Sequence, residues 1–182
     1  MNVKAVDPDN EFEKYIGLPY TSVPNPFDTE HANYAKYFEA EFMESIKKFG
    51  IEMDYRYQTD MYTSGKYKDD IIEAVKKRKE IFDILDSFRT QDAQEGERDA
   101  YFPVSIFCPE CGRDTTRILS VSDDCTTAEY ECECGHRGTF DFTKDFNCKL
   151  AWKIDWPMRW RYEGVDFEPG GKDHASPGGS YE

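Results

Sequence analysis

The sequence predicts an α/β protein in which one mixed layer is interrupted by a small β module. Three observations point there. A helix–strand–helix pattern fills the first half, a polar break followed by four short β-like runs fills the middle, and helical spacing returns near the end. The predicted division is 1–98 and 149–182 for the layer, with 99–148 as the inserted module.

"GLPYTSVPNPF" carries three prolines and reads as an extended loop. A helix follows from near Glu30 to Phe49, because Tyr34, Phe38, Phe42, Ile46 and Phe49 share one face at helical spacing. Gly50 supplies its stop. In "IEMDYRYQ", Ile51, Met53, Tyr55 and Tyr57 alternate with polar residues, the period of a strand. A second helix over 66–89 aligns Ile71, Ile72, Val75, Phe82 and Leu85. "RTQDAQEGERDA" breaks this pattern and reads as a linker.

The runs "FPVSIF", "TRILSVS", "AEYECE" and "GTFDFT" are rich in Val, Thr, Tyr and Phe and read as short strands. "WKIDWPMRWRYEG" then predicts a helix with Pro157 near its first turn and Gly164 as its stop. "VDFEP" reads as a short buried strand, and Gly170-Gly171 open the closing loop. An α/β pattern before and again after a small β module suggests an insertion into a mononucleotide-binding type of layer.

The composition narrows the partners. A length of 182 residues suits one domain plus a smaller insert. Hydrophobic residues make up 38% and charged residues 33%, ordinary for a globular protein. No apolar stretch approaches the roughly 20 residues of a membrane span, and "MNVKAVDPDNEFEKY" lacks the apolar run of a secretory signal. A cytoplasmic protein is expected. The net charge of −14 argues against nucleic-acid binding by this chain alone, since phosphate contacts need clustered Lys and Arg. The one dense basic run, "KKRKE" at Lys76 to Glu80, falls in a helical pattern and reads as a solvated face.

"CPECG" and "CECGH" carry the strongest chemical signal. Tetrahedral Zn²⁺ needs four soft ligands, and paired thiolates on tight turns supply two each. Cys108, Cys111, Cys132 and Cys134 are the expected ligands of a zinc ribbon, with His136 as the alternative fourth. Disulfides are disfavoured in a cytosolic chain. A four-thiolate zinc has no open position, so its expected role is structural. Cys125 and Cys148 read as ordinary small side chains.

Two further clusters stand out near the end. "WKIDWPMRW" puts Trp152, Trp156 and Trp160 four residues apart, which packing explains well. It explains Asp155 less well, because a carboxylate among indoles needs a cation. A ligand ammonium would serve, helped by the indoles; so would Arg159 at i+4. In "EPGGKDH" the glycines permit close backbone approach, and Asp173 can accept from sugar hydroxyls, although a plain surface turn has the same spacing. No phosphate loop, GxGxxG, HExxH or nucleophile elbow occurs.

Taken in order, "GLPYTSVPNPF", "KFGIEMDYRYQTDMYTSGKY", the two cysteine pairs and "KLAWKIDWPMRWRYEGVDFEPGGKDHASPGGSY" resemble a class I lysyl-tRNA synthetase of the archaeal type. The resemblance implies a partial Rossmann-type layer with a zinc-bearing connective insertion. It implies that lysine is joined to ATP and then passed to the ribose at the 3′ end of tRNA(Lys), with Mg²⁺ and ATP serving the full-length enzyme. By motif, Trp152, Asp155 and Trp156 belong to the part that lines the lysine pocket. Gly171 and Asp173 match a Gly-x-Asp element held against the adenylate ribose, and His174 would sit beside the aminoacyl group.

The departures matter as much. The family's His-Ile-Gly-His type and Lys-Met-Ser-Lys-Ser type elements, which stabilise the triphosphate, are not in these 182 residues. The expectation is therefore an internal portion of a synthetase, inactive by itself. A competing reading is a non-catalytic zinc-ribbon module that binds a protein partner. A third, a zinc hydrolase using Glu168, Asp173 and His174, has no helical ligand spacing to support it.

Overall fold

The structure, a computed structural model, describes residues 11–27, 29–89, 91–177 and 179. Part of the N-terminal stretch and the residues of "GGSYE" other than Gly179 lie outside these. Six α-helices and five strands are present among the described residues: α1 Tyr34–Lys48, α2 Gln58–Thr63, α3 Lys68–Lys76, α4 Arg78–Asp86, α5 Glu97–Ala100, β1 Val104–Ile106, β2 Thr116–Val121, β3 Thr127–Cys132, β4 Arg137–Asp141, β5 Cys148–Leu150 and α6 Trp152–Glu163.

The β module forms as its four runs predict. β2, β3 and β4 make an antiparallel meander in which Ala128 lies opposite Phe140 and Tyr130 opposite both Ile118 and Gly138. Burial along β3 alternates, so Ala128, Tyr130 and Cys132 face inward. On the other face Glu131 pairs with Arg137 at 2.7 Å and with Arg117. These exposed pairs set register more than stability. β1 and β5, at the two ends of the insert, pair with each other through Val104–Leu150 and Ile106–Cys148. They close it like a neck.

The partial Rossmann-type layer expected around this module has no strand pair among the described residues. Both sheets among them are antiparallel. Residues 51–57 show the alternation of a strand but no regular structure, and Ile51 and Met53 are exposed. Alternation alone gives no hydrogen bonds, and no neighbouring strand supplies them. "VDFEP" is likewise not a buried strand: Val165 and Phe167 are exposed, the latter at 80%.

Helix boundaries shift for local reasons. α1 begins where Asn33 accepts the Lys36 N–H at 3.0 Å, a side-chain cap. Its apolar stripe is only half-covered, with Phe42 and Phe49 exposed. The long helix expected over 66–89 breaks at Lys77, which ends α3 and begins α4. Nothing in its sequence marks this break. It lets Ile71, Ala74 and Val75 reach the core while Phe82 turns to meet Tyr101 at 5.5 Å. The basic run lies at this bend. Lys77 pairs with Glu73, Lys79 with Asp99, and Arg78 donates to the carbonyls of Asp99 and Tyr101. The polar linker is thereby tied down and includes the short α5.

Pro157 sits inside α6 rather than in its first turn, so the helix starts earlier than the proline suggested. Gly164 ends it, as expected. One core joins the module to the helices. Met61, Tyr67, Ile71 and Val75 from α2 to α3 pack with Ile106, Leu150 and Met158, and onward to Ile118, Tyr130 and Phe140. Gly65 guards the approach, since a Cβ there would lie 2.6 Å from the Phe146 ring and its φ is +73°. Gly65→Ala should lower stability by about 2 kcal/mol or more, from left-handed strain plus ring displacement. Urea unfolding measures this; an unchanged midpoint would refute it.

Candidate functional site

Two hairpin-like turns bring the four cysteines together. The first runs from the end of β1: the Gly112 N–H donates to the Cys108 carbonyl and the Cys108 N–H to the Arg113 carbonyl, both at 2.8 Å. The second joins β3 to β4, where Gly135 donates to the Cys132 carbonyl at 2.9 Å and Cys132 to the His136 carbonyl at 2.8 Å. Both turns need a residue with positive φ, and Gly112 and Gly135 provide it at +75° and +92°.

The sulfurs of Cys108, Cys111, Cys132 and Cys134 all lie within 4.8 Å of one another, and this group can hold a metal ion. Cys108 and Cys134 are 3.8 Å apart and Cys111 and Cys132 are 3.6 Å apart. A tetrahedron with metal–sulfur bonds of about 2.3 Å has edges of about 3.8 Å, so both pairs fit. His136, the alternative ligand, is not in this group. Its ring lies 5.9 Å from that of Tyr130.

Among these thiols Cys132 is prepared for negative charge. Burial opposes a thiolate at Cys132, but the Cys134 N–H, the Thr115 hydroxyl and neighbouring thiols donate to it and bring it down to about 7. The His136 N–H favours a Cys134 thiolate, yet proton sharing with Cys132, burial and the other thiols push it up to about 12. One charge forms readily here and the next does not. A cation removes that conflict. Cys148 is buried in the core, pushed up to about 12 by burial, and Cys125 lies at the β2–β3 turn, so neither joins the cluster.

The second candidate site lies on α6 and the loop after it. Trp156 is its centre: it packs against Trp152 at 4.8 Å, Trp160 at 5.3 Å and His174 at 5.2 Å, and its indole N–H donates to Glu168 at 3.0 Å. Trp152 is half-exposed beside it. His174 and Asp173 belong to a 3-10 turn, Lys172–Ala175, and the His174 N–H donates to the Gly171 carbonyl at 3.1 Å. A Cβ on Gly171 would approach the Asp173 carboxylate at 2.5 Å. The sequence-predicted Trp152, Trp156, Gly171, Asp173 and His174 therefore gather on one side.

Asp155 faces inward. It is 8% exposed, bonded by the Tyr62 hydroxyl and paired with Arg159 at 2.6 Å. Of the two cations considered for it, Arg159 is the one in contact. Tyr62 also accepts the Leu150 N–H from β5 at 3.2 Å, and burial followed by the Asp155 bond pushes its own hydroxyl up. Sequence reasoning missed Tyr62. Only the rule that a buried carboxylate needs more than one partner hinted at it. Glu168, Asp173 and His174 form no metal-binding group among the described residues, which leaves the hydrolase reading without a site.

The model described as tRNA synthetases class I (K) matches residues 2–182, and the chain belongs to that family. It is 39% identical over 202 residues to a protein of Streptomyces coelicolor named lysine–tRNA ligase, covering 96% of this chain and 35% of that protein. Against the lysine–tRNA ligase of Treponema pallidum it is 41% identical over 181 residues, covering 100% and 33%. Against that of Pyrococcus horikoshii it is 39% identical over 172 residues, covering 94% and 32%. The chain spans about a third of the length of these curated relatives. No helix among the described residues is long and apolar enough to cross a membrane.

Proposed function

We propose that this chain is part of a lysine–tRNA ligase, which activates lysine with ATP to lysyl-adenylate and transfers the lysyl group to tRNA(Lys). The carrying observation is the cluster around Trp156, which joins Trp152 to His174 in a chain matching the family from residue 2 to 182. On this reading Trp152 and Trp156 of α6 form the lysine wall, and Asp155, which faces inward, supports it from behind through Arg159. Gly171 and Asp173 hold the adenylate ribose, with His174 beside the aminoacyl group. Residues 1–98 and 149–182 belong to the catalytic domain, and 99–148 to its insertion.

Cys108, Cys111, Cys132 and Cys134 would hold Zn²⁺ in a closed site, where the metal supplies cross-linking and no chemistry. Mg²⁺ and ATP would serve the full-length enzyme, where the metal would supply charge neutralisation at the triphosphate. This chain contributes recognition: indole faces for the lysine side chain, an acceptor for sugar hydroxyls, and exclusion of water. Its acidic balance leaves the tRNA to other basic surface.

Lysine-dependent ATP–pyrophosphate exchange tests the reading. The purified 182-residue chain should show none, and the full-length enzyme should show it with lysine preferred over ornithine. Trp152→Ala in that enzyme should raise KM for lysine at least about tenfold, the loss of one good apolar contact. Exchange by the isolated chain, or an unchanged lysine KM, would overturn it.

A further inference from the structure

Asp155, Arg159 and Tyr62 form a chain of contacts behind the tryptophan-rich face of α6. The Leu150 N–H, in the neck of the module, donates to the Tyr62 oxygen, and Tyr62 donates to one Asp155 oxygen. The other oxygen takes Arg159. The Arg159 guanidinium then lies 5.7 Å from the centre of the Trp152 ring, within cation–π range. Three elements, β5, α2 and α6, are thereby tied to one half-exposed indole.

We infer that Tyr62, Asp155 and Arg159 are positioning residues that fix the orientation of Trp152, and through it the lysine pocket. The inference rests on the pocket reading above. Asp155 binds no ligand on this account, because both its oxygens already have partners. Its task is to hold the guanidinium plane against the Trp152 face, since an unpinned arginine has many rotamers. The Arg159 Nε is buried with no hydrogen-bond partner, so Asp155 and the indole face are what keep the group in place.

The experiment reads the indoles and the pocket separately. Trp152 and Trp156 are close enough to couple electronically, and the chain should show the resulting exciton couplet in far-ultraviolet circular dichroism. Arg159→Met and Tyr62→Phe should collapse the couplet while zinc content stays at the wild-type value. Arg159→Lys, which keeps the charge but not the plane, should restore part of it. In full-length enzyme the same variants should raise lysine KM about five- to tenfold with ATP KM unchanged, the signature of lost lysine binding alone.

A couplet unchanged in all three variants would overturn the inference, whatever the activity. A lost couplet with steady lysine KM would also overturn it, provided Trp152→Phe itself raises that KM. If Trp152→Phe leaves lysine KM unmoved, the pocket reading fails instead. Should Arg159→Met lose zinc or fold poorly, Arg159→Lys and Tyr62→Phe carry the test alone.

Discussion

Cys108→Ser should abolish metal binding and unfold the β2–β4 ribbon, the largest single effect expected in this chain. The ribbon is small. Its inward side chains are mainly Ile118, Ala128, Tyr130, Phe140 and Phe142, too few to hold three short strands without a staple. Structural zinc contributes about 10–16 kcal/mol in small zinc folds, comparable to the whole stability of a domain. The wild-type chain should carry one zinc by elemental analysis, and amide protection at Ala128, Tyr130 and Phe140 should vanish on chelation. Protection that survives a chelator would refute the structural role.

Acid should act in the same direction. Zinc needs the thiolates, so binding displaces protons and affinity rises with pH. Below about 7, where even Cys132 takes its proton, each further unit costs up to about tenfold per thiol displaced. The ribbon is therefore expected to be most stable at neutral to mildly alkaline pH and to be lost as pH falls. Metal release monitored against pH checks this, and a release curve independent of pH would contradict it.

How much of this was legible in the sequence depended on whether the determining interaction was local. The cysteine pairs were, because each turn is closed by bonds within six residues, such as Cys108 N–H to the Arg113 carbonyl. So were β2, β3 and β4, each paired with its sequence neighbour, whereas β1 pairs with β5 across the insert. The helix stop at Gly164 was also a local matter, whereas the Asn33 cap that starts α1 later than Glu30 was not read from the sequence. The alternation at 51–57 misled because a strand also requires a partner, which no spacing rule provides. The bend at Lys77 has no breaker residue and follows from where Val75 and Phe82 must pack. Tyr62 lies 93 residues from Asp155, so its role came only with the fold. The residues proposed for the pocket could be named through the resemblance, but not that Asp155 turns inward while Trp156 meets His174.

The buried ion pair makes the second large prediction. Asp155→Ala should destabilise the chain by about 3–5 kcal/mol, because it leaves the Arg159 guanidinium desolvated with no acceptor. The side chains are 22% and 12% exposed, so solvent screens the pair little. The cost arises from the stranded charge and not from a strong net attraction. Asp155→Leu combined with Arg159→Met should therefore regain most of the loss, since an apolar pair of similar volume removes both desolvation penalties. Urea unfolding of the metal-loaded chain measures all three. If the double variant were as unstable as Asp155→Ala, the pair would be a net stabiliser in its own right. If it recovers stability but the lysine KM of the full-length enzyme stays high, the pair is present for geometry at the expense of stability, as a positioning role requires.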